Sequence, residues 1–511
     1  MKYDVIIVGA GSAGCALAAR LSEDPQRSVL LLEAGPDYPD PDLLPDEIKF
    51  DCNQAASAAH ALHNWSFVGS ATPQQKKPAA VARGKIVGGT SSINHQIFLR
   101  GAPEDYDNWA AQGNDLWSYI NVLPYFRKLE TDNDIAGDFH GADGPIPVWR
   151  HPPKTWLPVQ SAFYQACVSA GFPEDPDLNH PDSGGVGAIP LNNPGGVRMS
   201  TAITYLNASR HRLNLTVKGD VMVQRILFQG NKATGVEVES GDQIFLVQGE
   251  EVILSAGAIQ SPQLLMVSGV GPAKHLSSLG IPVVHDLPGV GQHLKNHPSA
   301  SIRFSYHRNF SPTYNAPRNQ VVLRFALAGS PTRNDVQVQP TSSYAGGQQE
   351  IDLRIGCRLE LPDSIGTLTL ESTDAKVQPK LDYQLLSDPW DRQRLREAVR
   401  TTVRLFDRPS FQGIVAERLS PTDAVLESDD ALDLWMQQTV SIAGHSCCTC
   451  RMGPATDLMA VVDQYCRVHG LERLRVVDAS VMPEIVRANT NATCIMIGER
   501  AADLIAADLR R

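Results

Sequence analysis

The densest run of reactive side chains in the sequence is Gly444-His445-Ser446-Cys447-Cys448-Thr449-Cys450-Arg451-Met452-Gly453. An imidazole such as His445 can act as a general base, although an isolated histidine is more often a satisfied structural residue. Three thiols within four positions could bind a metal or form a disulfide. Adjacent Cys447 and Cys448 cannot readily aim at one ion, however, and no second Cys/His pair stands at a zinc-site spacing. A disulfide between neighbours would need a strained peptide. No metal is therefore expected. His60 and His63 could share one helical face, but with no acid or third ligand beside them they are expected at the surface.

The elements that would have to position such chemistry begin at the N-terminus. The apolar run Tyr3-Asp4-Val5-Ile6-Ile7-Val8 enters Gly9-Ala10-Gly11-Ser12-Ala13-Gly14, and a second run, Ser28 to Leu32, ends on Glu33. This reads as strand, glycine turn, helix (Cys15 to Leu21), strand and acid, a βαβ unit for a dinucleotide. Gly9 makes the turn, Gly11 admits a pyrophosphate, Gly14 lets helix and strand pack, and Glu33 stands where an acid binds ribose hydroxyls. The helix N-terminus offers free N–H groups and partial positive charge to the phosphates. After a proline-rich loop, Pro36 to Pro45, the segment Arg83-Gly84-Lys85-Ile86-Val87-Gly88-Gly89-Thr90-Ser91-Ser92 reads either as a loop wrapped on a ligand or as a turn-rich surface loop.

Asn214 to Leu254 alternates apolar and polar residues, with turns near Gly230 and Gly241. It predicts a small antiparallel sheet laid over the nucleotide domain. It ends in Glu251-Val252-Ile253-Leu254-Ser255-Ala256-Gly257, a strand delivering small residues to a ligand. Between Ser299 and Asp433 the pattern predicts strands at Ile351 to Leu359 and Gly366 to Leu370 and a helix at Asp391 to Phe406. A buried strand at Leu474 to Val477 ending on Asp478-Ala479, and a helix from Ile495 to Leu509, close the chain.

The chain has 511 residues, a net charge of -11, 42% hydrophobic and 20% charged residues, which predicts a globular protein of two domains without a broad nucleic-acid surface. No apolar stretch is long enough for a membrane span and no secretory signal is visible. Nine scattered cysteines fit mostly free thiols in a reducing compartment. The expected location is the cytoplasm. Oligomeric state leaves no trace in the sequence.

Together these segments resemble the glucose–methanol–choline (GMC) family of FAD oxidoreductases over nearly the whole chain. One family signature is matched by Gly257-Ala258-Ile259-Gln260-Ser261-Pro262-Gln263-Leu264-Leu265-Met266-Val267-Ser268-Gly269-Val270-Gly271, and another by Gly84 to Asn94. Arg100-Gly101, Asp105 to Trp109 and Leu123-Pro124-Tyr125-Phe126 agree as well. The resemblance implies an α/β fold: a Rossmann-like FAD-binding domain with a parallel sheet (1–150, 190–298 and 434–511), and an α+β substrate domain with an antiparallel sheet and flanking helices (151–189 and 299–433). It implies FAD held by Gly9, Gly11, Ser12 and Gly14, with Glu33 and Ala34 at the adenosine ribose and Val223 near the adenine. Arg83, Gly88, Gly89, Ser91 and Asn94 would lie along the second loop, Asn94 beside the flavin. Ala256, Gly257, Asp478 and Ala479 would meet the ribityl or pyrophosphate, and Asn489 and Thr490 would complete the site.

The resemblance also implies the reaction. His445 would take the hydroxyl proton of a small-molecule alcohol and Asn489, at a fixed offset from Ser480-Val481-Met482-Pro483, would hydrogen-bond the same oxygen. Hydride would pass to flavin N5, giving an aldehyde or ketone, and oxygen or another acceptor would reoxidise the flavin. Ile93 stands where covalently flavinylated members such as choline oxidase carry the linking histidine, so the FAD is expected to be non-covalent. Three other positions depart from the family. His95 either faces the flavin or substrate or is a buried imidazole bonded to backbone; Cys448 replaces a glycine; Gly444 is small where several relatives carry an aromatic, which would leave room for a bulkier donor. Rival readings within the fold are a non-redox lyase resembling hydroxynitrile lyases, a photodecarboxylase, disfavoured by His445, and a plain flavin-binding protein.

Overall fold

The computed structural model describes residues 2–51, 55–310, 317, 319–344 and 351–509. Its first sheet grows from the N-terminal strand Lys2–Val8, which pairs in parallel with Val29–Leu32 on one side and with Gln243–Leu254 on the other. Val5 to Val8, Val29 to Leu32 and Val252 to Leu254 are buried throughout, as strands covered on both faces must be. Leu215–Lys218 and Leu474–Val476 add further parallel strands.

The antiparallel region predicted over residues 214–254 is not a separate layer. Gln243–Leu254 runs on past the parallel core, and its first half pairs with the ribbon Lys232–Ser240 and Met222–Gln229, so both belong to one mixed sheet. Leu215–Lys218 joins the same sheet at the opposite edge. Alternation predicted the strands, but edge and pairing are set by a single strand long enough to serve two partners.

Gly9 adopts φ +98°, a conformation open to glycine at little cost, and turns the chain from the first strand into the helix Ser12–Leu21. A Cβ on Gly14 would lie 2.0 Å from the Gly9 carbonyl oxygen, so helix and turn can approach only through a bare backbone. The helix therefore starts earlier than its apolar residues indicate, with Gly14 in its first turn. The C-terminal helix, Thr490–Leu509, packs on it. This helix also begins before its apolar stripe, because Thr490 and Asn491 face a cavity.

The second sheet is antiparallel, in the order Val415–Ser420, Pro298–Tyr306, Ile351–Leu359, Val336–Tyr344, Val321–Phe325, Gly185–Ala188. Along Ile351–Leu359 the side chains of Leu353, Ile355, Cys357 and Leu359 are buried. The helix Pro389–Phe406, opened by Asp388 accepting from the Trp390 N–H, packs on this sheet, as does Pro158–Ser169. By the two-residue period of a strand, Arg358, Gln339 and Thr341 point to the other face, toward the first sheet.

Candidate active site

One elongated cavity, about 490 Å³, runs between the two sheets. Gly9, Gly11, Ser12, Glu33, Ala34 and Val223 line one end; Arg83, Gly89, Asn94, Ala256, Gly257, Asp478, Ala479 and Thr490 lie along it; His445 and Asn489 line it as well. Three of the expected residues stand behind this wall. Gly14 packs against Gly9, Gly88 donates its N–H to the Ala10 carbonyl (2.7 Å), and the Ser91 hydroxyl donates to the Gly88 carbonyl (2.6 Å). They shape the turn instead of touching the space.

At the glycine end the first helix has no capping side chain, so its N-terminal N–H groups remain available to an anion. The Glu33 carboxylate accepts from the Ala10 and Gly35 N–H groups (both 3.0 Å). Burial pushes its carboxyl up to about 7 against those hydrogen bonds. Asp478 is more fully engaged: it accepts from the Gly257 N–H (2.9 Å), the Ser261 hydroxyl (2.5 Å) and the Ser480 N–H (2.8 Å). It thus braces the turn that carries Ala256 and Gly257. Asn491 Nδ2 and Asn489 Oδ1 are buried without a hydrogen-bond partner, although both residues line the cavity. Orphaned polar atoms, one beside the uncapped helix end (Asn491) and one beside His445 (Asn489), fit a large polar cofactor such as FAD.

The reactive end is built by two backbone tethers. Lys295 and Cys447 exchange N–H···O bonds (3.2 Å each), which lays residues 295–297 antiparallel to 445–447. Cys448, Cys450 and Met452 donate in turn to Ala479, Ser480 and Val481. The three thiols of this segment are fully buried packing groups, and burial holds those of Cys448 and Cys450 well above the ordinary cysteine range. Cys448 has φ +71°, a left-handed conformation that glycine adopts at least cost. Gly444 has φ +83°, so it also has a conformational role, not only a small size.

The first tether sets His297 beside His445, with their Nδ1 atoms 2.9 Å apart. His297 Nε2 lies 3.1 Å from the Val486 carbonyl, which can only accept, so this nitrogen carries the proton. Burial lowers His297 to about 4, so the ring is neutral and its Nδ1 is a lone pair. His445 must then donate from Nδ1. Burial first, then the charge of Arg358 and the positions of His297, Arg83 and His95, hold His445 well below 6.5. Its Nε2 is therefore an unprotonated lone pair, which accepts from the Asn489 amide N–H (3.1 Å).

Asn489 is fixed by segments far away in sequence. Arg487 is clamped by Asp105 through its Nε (2.7 Å) and its backbone N–H (2.9 Å), while Trp109 donates to the Glu484 carbonyl (2.9 Å). The Asp105 to Trp109 motif thus holds the turn that presents Val486 and Asn489. His297 carries no signal in the sequence. Arg358, Asn319, Gln339 and Thr341, also on the cavity wall, were foreshadowed only by polar residues interrupting apolar strands.

His95 fits neither expectation fully. It lines the cavity but is half exposed, and its Nδ1 pairs with Asp51 (3.0 Å), not with backbone. His60 and His63 are not a surface pair. His63 is buried with its Nε2 2.9 Å from the Tyr38 hydroxyl, and His60 sits at φ +63° in a turn. Among the described residues one group has the spacing to hold an ion, Glu130, Asp132 and His140. Arg150 Nη1 lies 2.9 Å from Asp132, Arg100 pairs with Glu130, and both ring nitrogens of His140 face carboxylates, so the group is a buried ion-pair network.

An uncapped helix N-terminus and an imidazole of fixed tautomer on the wall of one cavity suit a nucleotide-cofactor oxidoreductase. Family models described as GMC oxidoreductase match residues 3–299 and 362–498. The chain is 37% identical over 547 residues to an oxygen-dependent choline dehydrogenase of Escherichia coli, covering 99% of this chain and 96% of that protein. It is 36% identical to an uncharacterized GMC-type oxidoreductase of Rhodococcus erythropolis (99% and 98% covered). Its structure superposes on pyridoxine 4-oxidase from Mesorbium loti with a TM-score of 0.91 at 29% identity, covering 99% of each chain. The chain belongs to the GMC oxidoreductase family. It is an FAD-dependent oxidoreductase acting on the CH–OH group of alcohol donors. Among the described residues no helix is long and apolar enough to cross a membrane.

Proposed function

We propose that this enzyme oxidises its donor alcohol to an aldehyde or ketone with His445 as the general base and Asn489 as the partner of the reacting oxygen. The observation that carries this reading is the fixed tautomer of His445. The Val486 carbonyl orients His297, His297 accepts a hydrogen bond from the Nδ1–H of His445, and the Nε2 lone pair is left on the cavity side beside Asn489. An alcohol whose hydroxyl reaches Nε2 gives up its proton there, and the Asn489 amide donates to the oxygen as negative charge develops on it. FAD supplies, when bound, the two-electron acceptor for the hydride that leaves the same carbon. Burial of the site keeps water from competing for the base. Ile93, buried on the cavity wall with an aliphatic side chain, supports a dissociable flavin.

The test is anaerobic mixing of the flavin-loaded protein with an alcohol panel. The wild type is expected to bleach, and His445→Ala, at equal FAD content, to lose roughly 10²- to 10⁴-fold in the bleaching rate. Equal rates in both proteins overturn the assignment. A panel that leaves the flavin oxidised while cyanohydrins are cleaved would replace it with the non-redox lyase reading.

A further inference from the structure

The charges on the cavity wall are unevenly placed. Its two carboxylates are Glu33, at the glycine end, and Asp478, whose oxygens are taken up by Gly257, Ser261 and Ser480. Its two guanidinium groups are Arg83 and Arg358, and among the described residues no carboxylate is paired with Arg83. Asp51, near His95, faces that imidazole and Arg198. Arg358 is paired with the buried Glu360, so among the described residues Arg83 is the wall guanidinium without a carboxylate partner.

Arg358 is the part of this charge that belongs to the second sheet. It lies between Ser299 and Gln337 on neighbouring strands, on the face that meets the cavity. Only its Nε is engaged, by Glu360 at 2.6 Å; Nη2 is buried and has no hydrogen-bond partner. Glu360 is itself fully buried and lies 3.7 Å from His297, the neighbour of His445. Of the charged groups around His445, Arg358 weighs most in keeping its imidazole neutral. A buried guanidinium with unused donors is costly unless something accepts from them, and its planar fork matches a carboxylate. Gln339 and Asn319, linked by a 2.6 Å hydrogen bond, add neutral polar groups on the same wall.

We propose that Arg358 is a specificity residue that binds a carboxylate of the donor, so that the substrate is a hydroxy acid or a carboxylate-bearing carbinol. This rests on the alcohol-oxidation reading of the same site. On this reading a quaternary ammonium is disfavoured, because the charged group the wall presents here is the Arg358 guanidinium and its partner Glu360 does not line the cavity.

The flavin-loaded protein is titrated with benzoate, benzamide and phenyltrimethylammonium, following the flavin spectrum and the unfolding midpoint. Benzoate is expected to bind at least about tenfold more tightly than benzamide, and the cation not at all. Arg358→Met, at equal FAD content, abolishes the preference and Arg358→Lys retains part of it. In turnover, 4-(hydroxymethyl)benzoate exceeds benzyl alcohol in kcat/KM through a lower KM, and the ratio falls toward one in R358M. Equal binding of benzoate and benzamide, or an undiminished preference in R358M, overturns the proposal. If alcohols bleach the flavin without any benzoate preference, this inference alone fails. If the preference holds and no alcohol bleaches it, the oxidation reading fails and the anion site stands.

Discussion

Replacing His297 with leucine should slow flavin reduction although His297 makes no chemical step itself. In the wild type the His445 Nδ1–H donates to His297 and Nε2 is left as the base. Without that acceptor, the buried N–H is unsatisfied, at a cost of about 1–3 kcal/mol. The imidazole escapes by moving its proton to Nε2, where a flipped Asn489 amide can accept it through Oδ1. The base is then blocked, and the competent tautomer is populated only after climbing the same gap, which corresponds to a roughly 5- to 150-fold loss of rate. His297→Asn keeps an acceptor near the place of Nδ1 and should recover part of the rate, whereas His297→Gln, which imitates Nε2, should recover less. The assay is anaerobic stopped-flow bleaching at saturating alcohol and matched FAD content. Wild-type rates in the H297L protein, or identical rates in the asparagine and glutamine variants, would refute the tautomer argument.

Three further outcomes are expected. Because burial and neighbouring positive charge hold His445 well below 6.5, it is already deprotonated at neutral pH; the reduction rate should stay level from pH 8 down through 6.5, and a sigmoidal loss centred on 6.5 would contradict this. Acid precipitation should release the flavin into the supernatant, since Ile93 offers no atom for a link; yellow colour retained by the washed pellet would show a covalent bond. At His140, burial alone would lower the imidazole, but its hydrogen bonds to the carboxylates of Asp132, Asp177 and Glu130 outweigh it and raise it to about 10. A raised folded-state value stabilises fully below the unfolded value near 6.5 and is lost as pH rises through about 10. The unfolding midpoint should therefore fall with increasing pH over that window, and fall less steeply in His140→Gln; parallel curves for the two proteins would exclude this contribution.

The sequence by itself determined the parts whose information is local. Alternation and apolar runs marked the strands at Lys2–Val8, Val29–Leu32 and Ile351–Leu359, and the Gly9/Gly14 pair marked a turn that only bare backbone can make. The resemblance of whole segments to one family then pointed to His445 and Asn489, residues that no spacing rule would have paired. Tertiary structure decided what local pattern does not contain. It merged the predicted small sheet into the parallel one through Gln243–Leu254, and it moved His63 into the interior and His95 onto Asp51. It also brought His297 onto His445 across 148 residues and turned Arg358 toward the cavity. Periodicity fixes which residues share a face of a strand. Which neighbour that face meets depends on contacts between segments far apart in the chain, and there the tautomer of His445 and the charge on the cavity wall are set.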